Sequence, residues 1–507
     1  MFYSTVSLVT LISTIFIACS FSLDADRPYT LPFSPTNIAF VPCPEDHGFP
    51  PQLQCGTLSV PIDWDKPSGE QFQLGIVRLP APSNSTKKVG DLFFNPGGPG
   101  APASDVVGAL PSLALNNPSL ASIIDSFDVI GVDPRGIGLS SRIHCNTSIF
   151  AESVSLFPST QAEYDAMISK NRRLGESCLQ LTGPLLKHID TLSVAKDHEA
   201  VRLSLGSQPF TFYGASYGTV LGAQYASLFP STLRAMALDA VLQHTQSEIS
   251  TLIAETTAYA LSLTSFLAWA SSPASHTPLS GTNTTHLWLS LLSAASTSPL
   301  PAPGCDTTAC APTVSYQDIL RNTQPYLHFP SPSPLSPLSW PALAVALYNA
   351  SKGDATALST RLDGLDSALA AQATLCLDWT SSTSSSLSKM RDKQRLAAQL
   401  APLTRGMSGM WGVQGMCVGW VVPVRNAPRA LDVEVGRGRV VLVASTGDPR
   451  TGYGMGLGVR EELRGSVVVT RRGEGHMSLW DGGEAAAVIA EYLVGGREVE
   501  DGMVVES

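Results

Sequence analysis

Ser216, Asp448 and His476 are the residues whose types and spacing can do chemistry, and that chemistry is acyl transfer. A serine hydroxyl is a poor nucleophile at neutral pH. It needs a base to take its proton, and the base needs a carboxylate to fix its tautomer and stabilise the imidazolium. Ser216 stands in Gly214-Ala215-Ser216-Tyr217-Gly218, a G-x-S-x-G pattern between the β-prone run Phe210–Tyr213 and a small-residue helical run closed by Pro230. A serine on such a turn is carried at its tip, with glycines where a Cβ would collide with the neighbouring strand or helix. Among nine histidines, His476 alone sits in a Gly-x-Gly-His turn after a late apolar strand. Asp448 follows the strand Arg439–Ala444, whereas Asp432 precedes it and Glu474 is too close in sequence to His476.

An oxyanion needs backbone N–H donors. Tyr217, directly after the serine, offers one. The other is expected from Asn95-Pro96-Gly97-Gly98-Pro99-Gly100, where prolines lack an N–H and Gly98 is the choice. No cofactor is implied, because nucleophile, base and electrostatics are all supplied by these groups.

Elements that end at these residues must position them. Residues 54–82 alternate like a hairpin turning at Lys66-Pro67-Ser68-Gly69; 91–94, 127–132, 210–213, 235–238, 439–444 and 466–470 read as buried strands. Helical stretches are expected at 161–206 and 482–494. Interesting residues at strand C-termini, with helices between the strands, predict an α/β fold with a mainly parallel central sheet and helices on both faces. Residues 245–395 break that alternation. They are rich in Ala, Ser, Leu, Thr and Pro and read as an inserted helical cap rather than a disordered linker, since leucine and tryptophan stay frequent. The domain expectation is a signal peptide over 1–22, core over 23–244, cap over 245–395, core again over 396–494 and an acidic mobile tail over 495–507. Thr380 to Ser388 is expected to be a flexible return, and Asp133 and Arg135 a structural turn pair.

In the 507-residue chain 44% of residues are hydrophobic and 15% charged, and the net charge is −10. This composition supports a large core and argues against nucleic acid or an anionic membrane as partner. The apolar run Val6–Cys19 has the length of a signal-peptide h-region, too short for a comfortable membrane span. No Lys or Arg precedes it, so an uncleaved anchor is the alternative. Removing Cys19 leaves eight cysteines. Pairing sequence neighbours gives 43–55, 145–178, 305–310 and 376–417, with other connectivities open; none has zinc-ligand spacing, so no metal is expected. N-x-S/T sequons at Asn84, Asn146, Asn283 and Asn349 agree with a secreted, disulfide-bonded glycoprotein.

Several motifs together make the chain resemble the secreted tripeptidyl-aminopeptidase / proline-iminopeptidase branch of the α/β-hydrolases. They are NPGGPG at 95–100, DPRGIGLS at 133–140, TLSVAKDHEAVRLSLG at 191–206, YGASYGTVLGAQYASLFP at 213–230, CLDW at 376–379 with CVGW at 417–420, and the GD and GH pairs at 447–448 and 475–476. The order Ser, Asp, His is that of α/β-hydrolases. The resemblance implies a TAP-like C-terminal region and an exopeptidase acting on peptides with a free N-terminus, with the triad Ser216, Asp448 and His476. Three departures stand out: Ala101-Pro102-Ala103-Ser104 after GGPG, His198 at a usually apolar position, and a long cap of unusual composition, the part that supplies substrate specificity. An aminopeptidase must also hold an ammonium group with a carboxylate. The candidates are Asp378, Glu248, Glu255, Asp318 and Asp366, with Asp378 first because Cys376 holds it rigidly. An esterase, lipase or biosynthetic hydrolase on the same machinery is the alternative and needs no such carboxylate. A catalytically dead binding protein would have lost a triad member, and none is missing.

Overall fold

A computed structural model describes residues 29–83, 88–305, 310–333, 336–359 and 365–507. The expected signal segment and Asn84 lie outside them. The strands β1 (Val41–Pro42), β2 (Gln54–Pro61), β3 (Gln71–Leu79), β4 (Gly90–Asn95), β5 (Phe127–Val132), β6 (Phe210–Ala215), β7 (Leu233–Asp239), β8 (Val440–Gly447), β9 (Val467–Glu474) and β10 (Met503–Glu506) form one sheet in the order β1-β2-β3-β5-β4-β6-β7-β8-β9-β10. β1, β2 and β3 run antiparallel to their neighbours, and every pairing from β5 to β10 is parallel. All six residues of β5 and of β6 are buried, which is why these strands read as continuous apolar runs rather than alternating ones. Two apolar layers cover the sheet, one containing Phe93, Phe212, Leu221 and Leu238, the other Phe94, Tyr213, Val443 and Ile489.

The helices that matter for the site are α1 (Ala103–Ala114), α2 (Thr191–Ser204), α3 (Tyr217–Leu228), α4 (Glu248–Ser271), α5 (Leu365–Asp378), α6 (Gly409–Cys417) and α7 (Gly483–Gly495). Between β7 and β8 the described chain carries mainly helices, with the two-residue pair Leu300–Pro301 and Thr313–Val314 and, just before β8, the short strand Val433–Glu434, which pairs with Leu463–Arg464. That region has its own core around Phe266, Trp288, Trp340 and Leu343. It continues through Cys417, and residue 395 falls inside the helix Leu387–Leu400, so the boundary drawn there cuts a continuous element. Four disulfides join Cys43–Cys55, Cys145–Cys178, Cys305–Cys310 and Cys376–Cys417.

Three local expectations are corrected. The acidic tail does not hang free: Val469, Thr470, Arg471 and Arg472 of β9 pair with Met503, Val504, Val505 and Glu506, which adds an edge strand. The return at 380–388 is not loose. A short 3₁₀ turn, Ser382–Ser384, is wrapped around the Glu248 carboxylate, which accepts from the Ser382 and Thr383 amides at 2.9 and 3.1 Å. Asp133 and Arg135 do not pair with each other, because they leave the loop in different directions. Asp133 accepts from the Ser104 amide and hydroxyl and from the Leu139 amide, whereas Arg135 makes a two-pronged pair with Asp197 of α2 at 2.6 and 2.8 Å.

Candidate active site

The backbone between β6 and α3 is bent at Ser216, whose φ of 54° and ψ of −120° lie where few side chains other than glycine settle. The bend survives because its flanks are fixed. The Ser216 amide donates to the Asp239 carbonyl at 2.9 Å. A Cβ on Gly214 would come within 2.5 Å of the Gly218 carbonyl oxygen, and one on Gly218 within 2.8 Å of the Asn95 carbonyl oxygen. The two glycines therefore let strand, helix and the β4 loop meet at contact distance, and the serine stands at the apex, partly exposed.

His476 brings the three loops together. Its Nε2 lies 2.8 Å from Ser216 Oγ, and its Nδ1 lies 2.9 Å from each oxygen of Asp448. With Asp448 ionised, the Nδ1 proton faces the carboxylate and Nε2 is left to accept from the serine. Asp448 is itself oriented by the Arg450 and Thr451 amides at 2.7 and 2.8 Å and by the Thr451 hydroxyl at 2.8 Å. Arg471 braces the histidine turn, donating to the Glu474 and Gly475 carbonyls at 3.0 and 2.7 Å while paired with Asp481. Asp432 stands apart, exposed and paired with Arg464.

The glycine loop after β4 lies directly on the serine turn. A Cβ on Gly97 would sit 2.3 Å from the Ala215 carbonyl oxygen and 3.0 Å from the Tyr217 nitrogen. The Gly97 amide is taken by the Asn95 side chain at 3.0 Å. The amides of Gly98 and Tyr217 meet no acceptor among the described residues, which leaves both available to a developing oxyanion. The Ala101–Ser104 departure finds its place here: Ser104 opens α1 and hands both its amide and hydroxyl to Asp133, which ties down the exit of the loop.

The carboxylates considered for an ammonium group separate clearly. Asp378 is the correction: it is fully buried and accepts from the Thr191 amide, the Thr191 hydroxyl, the Tyr217 hydroxyl and the Asn426 amide group, so no lone pair is left to face substrate. Glu248 is consumed by the 380–383 turn. Asp318 closes a capping box with Ser315. The Asp366 side chain lies outside the description. Glu255 of α4 differs. It is buried, Oε2 accepts from the Met410 amide at 2.5 Å, and Oε1 accepts nothing among the described residues. Burial pushes its carboxyl up, Arg450 and the Met410 amide pull it down, and more weakly Asp448 pushes up and His476 pulls down.

One neighbour gave no signal in the sequence. His328, at the end of the 3₁₀ turn Gln324–His328, holds its ring 4.8 Å from that of His476 at a tilt of 39°, and its carbonyl accepts the His476 amide at 3.0 Å. Burial, and then the charges of His476 and Arg450, hold its imidazole well below the usual range, and its buried Nε2 meets no partner among the described residues.

Comparison with known proteins adds a second line. A family described as the alpha/beta hydrolase fold matches residues 92–287, and one described as TAP-like protein matches 401–504. The chain is 33% identical over 211 residues to a tripeptidyl aminopeptidase of Streptomyces lividans, a match that spans 41% of this chain and 38% of that protein. It is 29% identical to the serine protease Hip1 of Mycobacterium tuberculosis over 88% of this chain and 86% of that one. It is 31% identical to a carboxylesterase B of the same organism over 87% and 84% respectively.

Proposed function

Because this chain belongs to the α/β-hydrolase superfamily and carries a TAP-like C-terminal region, we propose that it is an exported serine aminopeptidase that cleaves peptides near a free N-terminus. Ser216 Oγ attacks the scissile carbonyl as His476 Nε2 takes its proton, and Asp448 stabilises the imidazolium. The oxyanion is held by the amides of Gly98 and Tyr217. Collapse of the tetrahedral intermediate breaks the C–N bond, and His476 returns the proton to the leaving amine. Water, activated by the same histidine, then releases the acyl group from Ser216.

The observation that carries the exopeptidase reading over a plain hydrolase is Glu255. A buried carboxylate with one oxygen unengaged, acted on by the charge of Arg450 and, more weakly, by Asp448 and His476, suits an ammonium group placed a short way from the scissile bond. The helical region from α4 to α6 supplies that carboxylate and is read as the specificity cap. Four disulfides and exposed sequons at Asn146, Asn283 and Asn349 support passage through an oxidising secretory route. No helix of the described residues is long and apolar enough to cross a membrane.

The test is release of a fluorogenic amine from Ala-Ala-Pro and Pro amides with free and with acetylated N-termini, alongside a short-chain ester and Ser216→Ala. Turnover of the free peptides alone, abolished in Ser216→Ala, supports the proposal. A second reading, an esterase, is favoured by the 31% identity to the carboxylesterase B over most of both chains. Turnover of the ester alone would select it.

A further inference from the structure

Asp378 is excluded from holding substrate by the same contacts that give it another task. It ends α5, and its two oxygens are divided between two sets of donors. Oδ1 accepts from the Thr191 amide and from Asn426 Nδ2, each at 3.0 Å. Oδ2 accepts from the Tyr217 hydroxyl at 2.6 Å and from the Thr191 hydroxyl at 2.5 Å. Tyr217 is the first residue of α3, and its amide is one of the two groups read above as oxyanion donors.

The helix that carries Asp378 also touches the loop of the other donor. A Cβ on Gly100 would lie 2.2 Å from the Ser367 carbonyl oxygen, so the first turn of α5 rests on the backbone two residues beyond Gly98. α5 is tied at its far end. Cys376 is bonded to Cys417 of α6, and the Leu377 carbonyl accepts the Arg425 and Asn426 amides at 2.9 and 3.0 Å. A small cavity lined by Gly97, Gly100, Ile137, Val194, Tyr217 and Leu221 lies beneath the loop. Packing alone therefore leaves the Tyr217 ring room on one side, and its buried hydroxyl, bonded to the Asp378 carboxylate and in contact with the Thr191 hydroxyl that the same carboxylate holds, supplies the missing constraint. A charge-assisted bond is short and directional enough to do so.

We propose that Asp378 is a positioning residue for the oxyanion site, acting through the Tyr217 hydroxyl, with α5 as the strut between the two donors. The proposal rests on the reading that Gly98 and Tyr217 hold the oxyanion, and it does not depend on whether the acyl group is a peptide or an ester.

Tyr217→Phe tests it with the least disturbance, since it removes one hydroxyl, keeps the amide and ring, and leaves Asp378 three donors. The measurement is kcat and KM on whichever substrate the wild type turns over, per active site titrated with a fluorophosphonate, with the affinity of a peptide boronic acid. Substrate affinity is measured separately in a Ser216→Ala background with and without Tyr217→Phe. Complete loss of a donor costs roughly 100- to 1,000-fold in kcat; a displaced donor is expected to cost about 10-fold. KM and substrate affinity should stay within about twofold, and boronate affinity should fall in step with kcat, because only the transition state uses the donor. Asp378→Asn should move the same quantities in the same direction and further. Unchanged kcat in Tyr217→Phe, or unchanged boronate affinity beside a lower kcat, overturns the proposal. Residual turnover in Ser216→Ala instead removes the catalytic reading on which it stands.

Discussion

The His476 amide donates to the His328 carbonyl at 3.0 Å, and the two imidazoles lie 4.8 Å apart. A residue of the inserted helical region thus holds the backbone of the proposed general base. The ring of His328 has a different standing from its carbonyl. Its buried Nε2 has no partner among the described residues, and an unmet buried polar atom costs about 1–3 kcal/mol. His328→Phe keeps the carbonyl and an aromatic ring. It is expected to raise the thermal midpoint by a few degrees and keep kcat/KM within about threefold. Calorimetry and steady-state kinetics check both; a fall in stability would mean that the nitrogen has an unseen partner.

Removal of the triad groups should follow their roles. Ser216→Ala or His476→Ala is expected to lower kcat by about 10⁶-fold and Asp448→Asn by about 10⁴-fold, the latter because the wrong imidazole tautomer is favoured. Fluorophosphonate labelling should vanish in Ser216→Ala and slow in the other two. Comparable loss from Asp432→Asn would contradict the assignment.

Glu255→Gln separates recognition from chemistry. With free-amine peptides kcat/KM should fall roughly 100-fold, since a buried charge partner is lost, while acetylated peptides and esters change little. The pH profile should carry the same signature. Burial raises the Glu255 carboxyl in the empty site, so the anchoring charge is present at high pH and is lost as pH falls through that raised value. The acid limb of kcat/KM for free-amine substrates should therefore start higher than for blocked ones and disappear in Glu255→Gln. Identical limbs in both substrate classes would sink the anchor.

His198 makes the fold sensitive to acid. Burial among Phe93 and Phe212 pushes its imidazole down to about 4, with Nδ1 against the Val194 carbonyl. The unfolded chain takes up a proton near its ordinary value of about 6.5. Stability from this group is whole above that value and falls as pH drops towards 4, by about 1.4 kcal/mol per unit and about 3 kcal/mol in all. His198→Leu should flatten that loss. Urea unfolding at pH 7 and at pH 4.5 reads it directly, and an equal drop in both proteins would assign the acid sensitivity elsewhere.

The edge strand predicts a cost of truncation. Deleting residues 502–507 exposes the β9 edge between Val469 and Arg472. It should lower the thermal midpoint and promote aggregation at high concentration. Light scattering of the truncated protein checks this; a monodisperse, equally stable product would show the strand to be dispensable.

Much of the scaffold was legible because chemistry and fold share one signal. Ser216, Asp448 and His476 each follow a short apolar run, and a parallel sheet puts such ends on one edge. Proximity to Cys376 predicts a rigid Asp378 at the cleft, but the same disulfide buries it behind the serine turn. Asp133 and Arg135 are neighbours in sequence, but a tight loop turns alternate side chains to different elements. Met503–Glu506 escaped notice because four residues in acidic surroundings carry little periodicity and gain their order from β9. The special standing of Glu255 has no local cause at all. It comes from the N-terminus of α6, which occupies one of its oxygens and leaves the other open.

The helical insertion grips both acid and base loops: Gln324 donates to the Pro449 carbonyl at 2.9 Å, and His328 receives the His476 amide. Such a region is no interchangeable attachment. A chimera that replaced it wholesale with another cap would lose the scaffolding of its own reactive centre along with its selectivity. Lineages diversifying from this chain would be channelled towards changes inside the insertion, around fixed contacts at 324 and 328, rather than towards exchange of the whole piece.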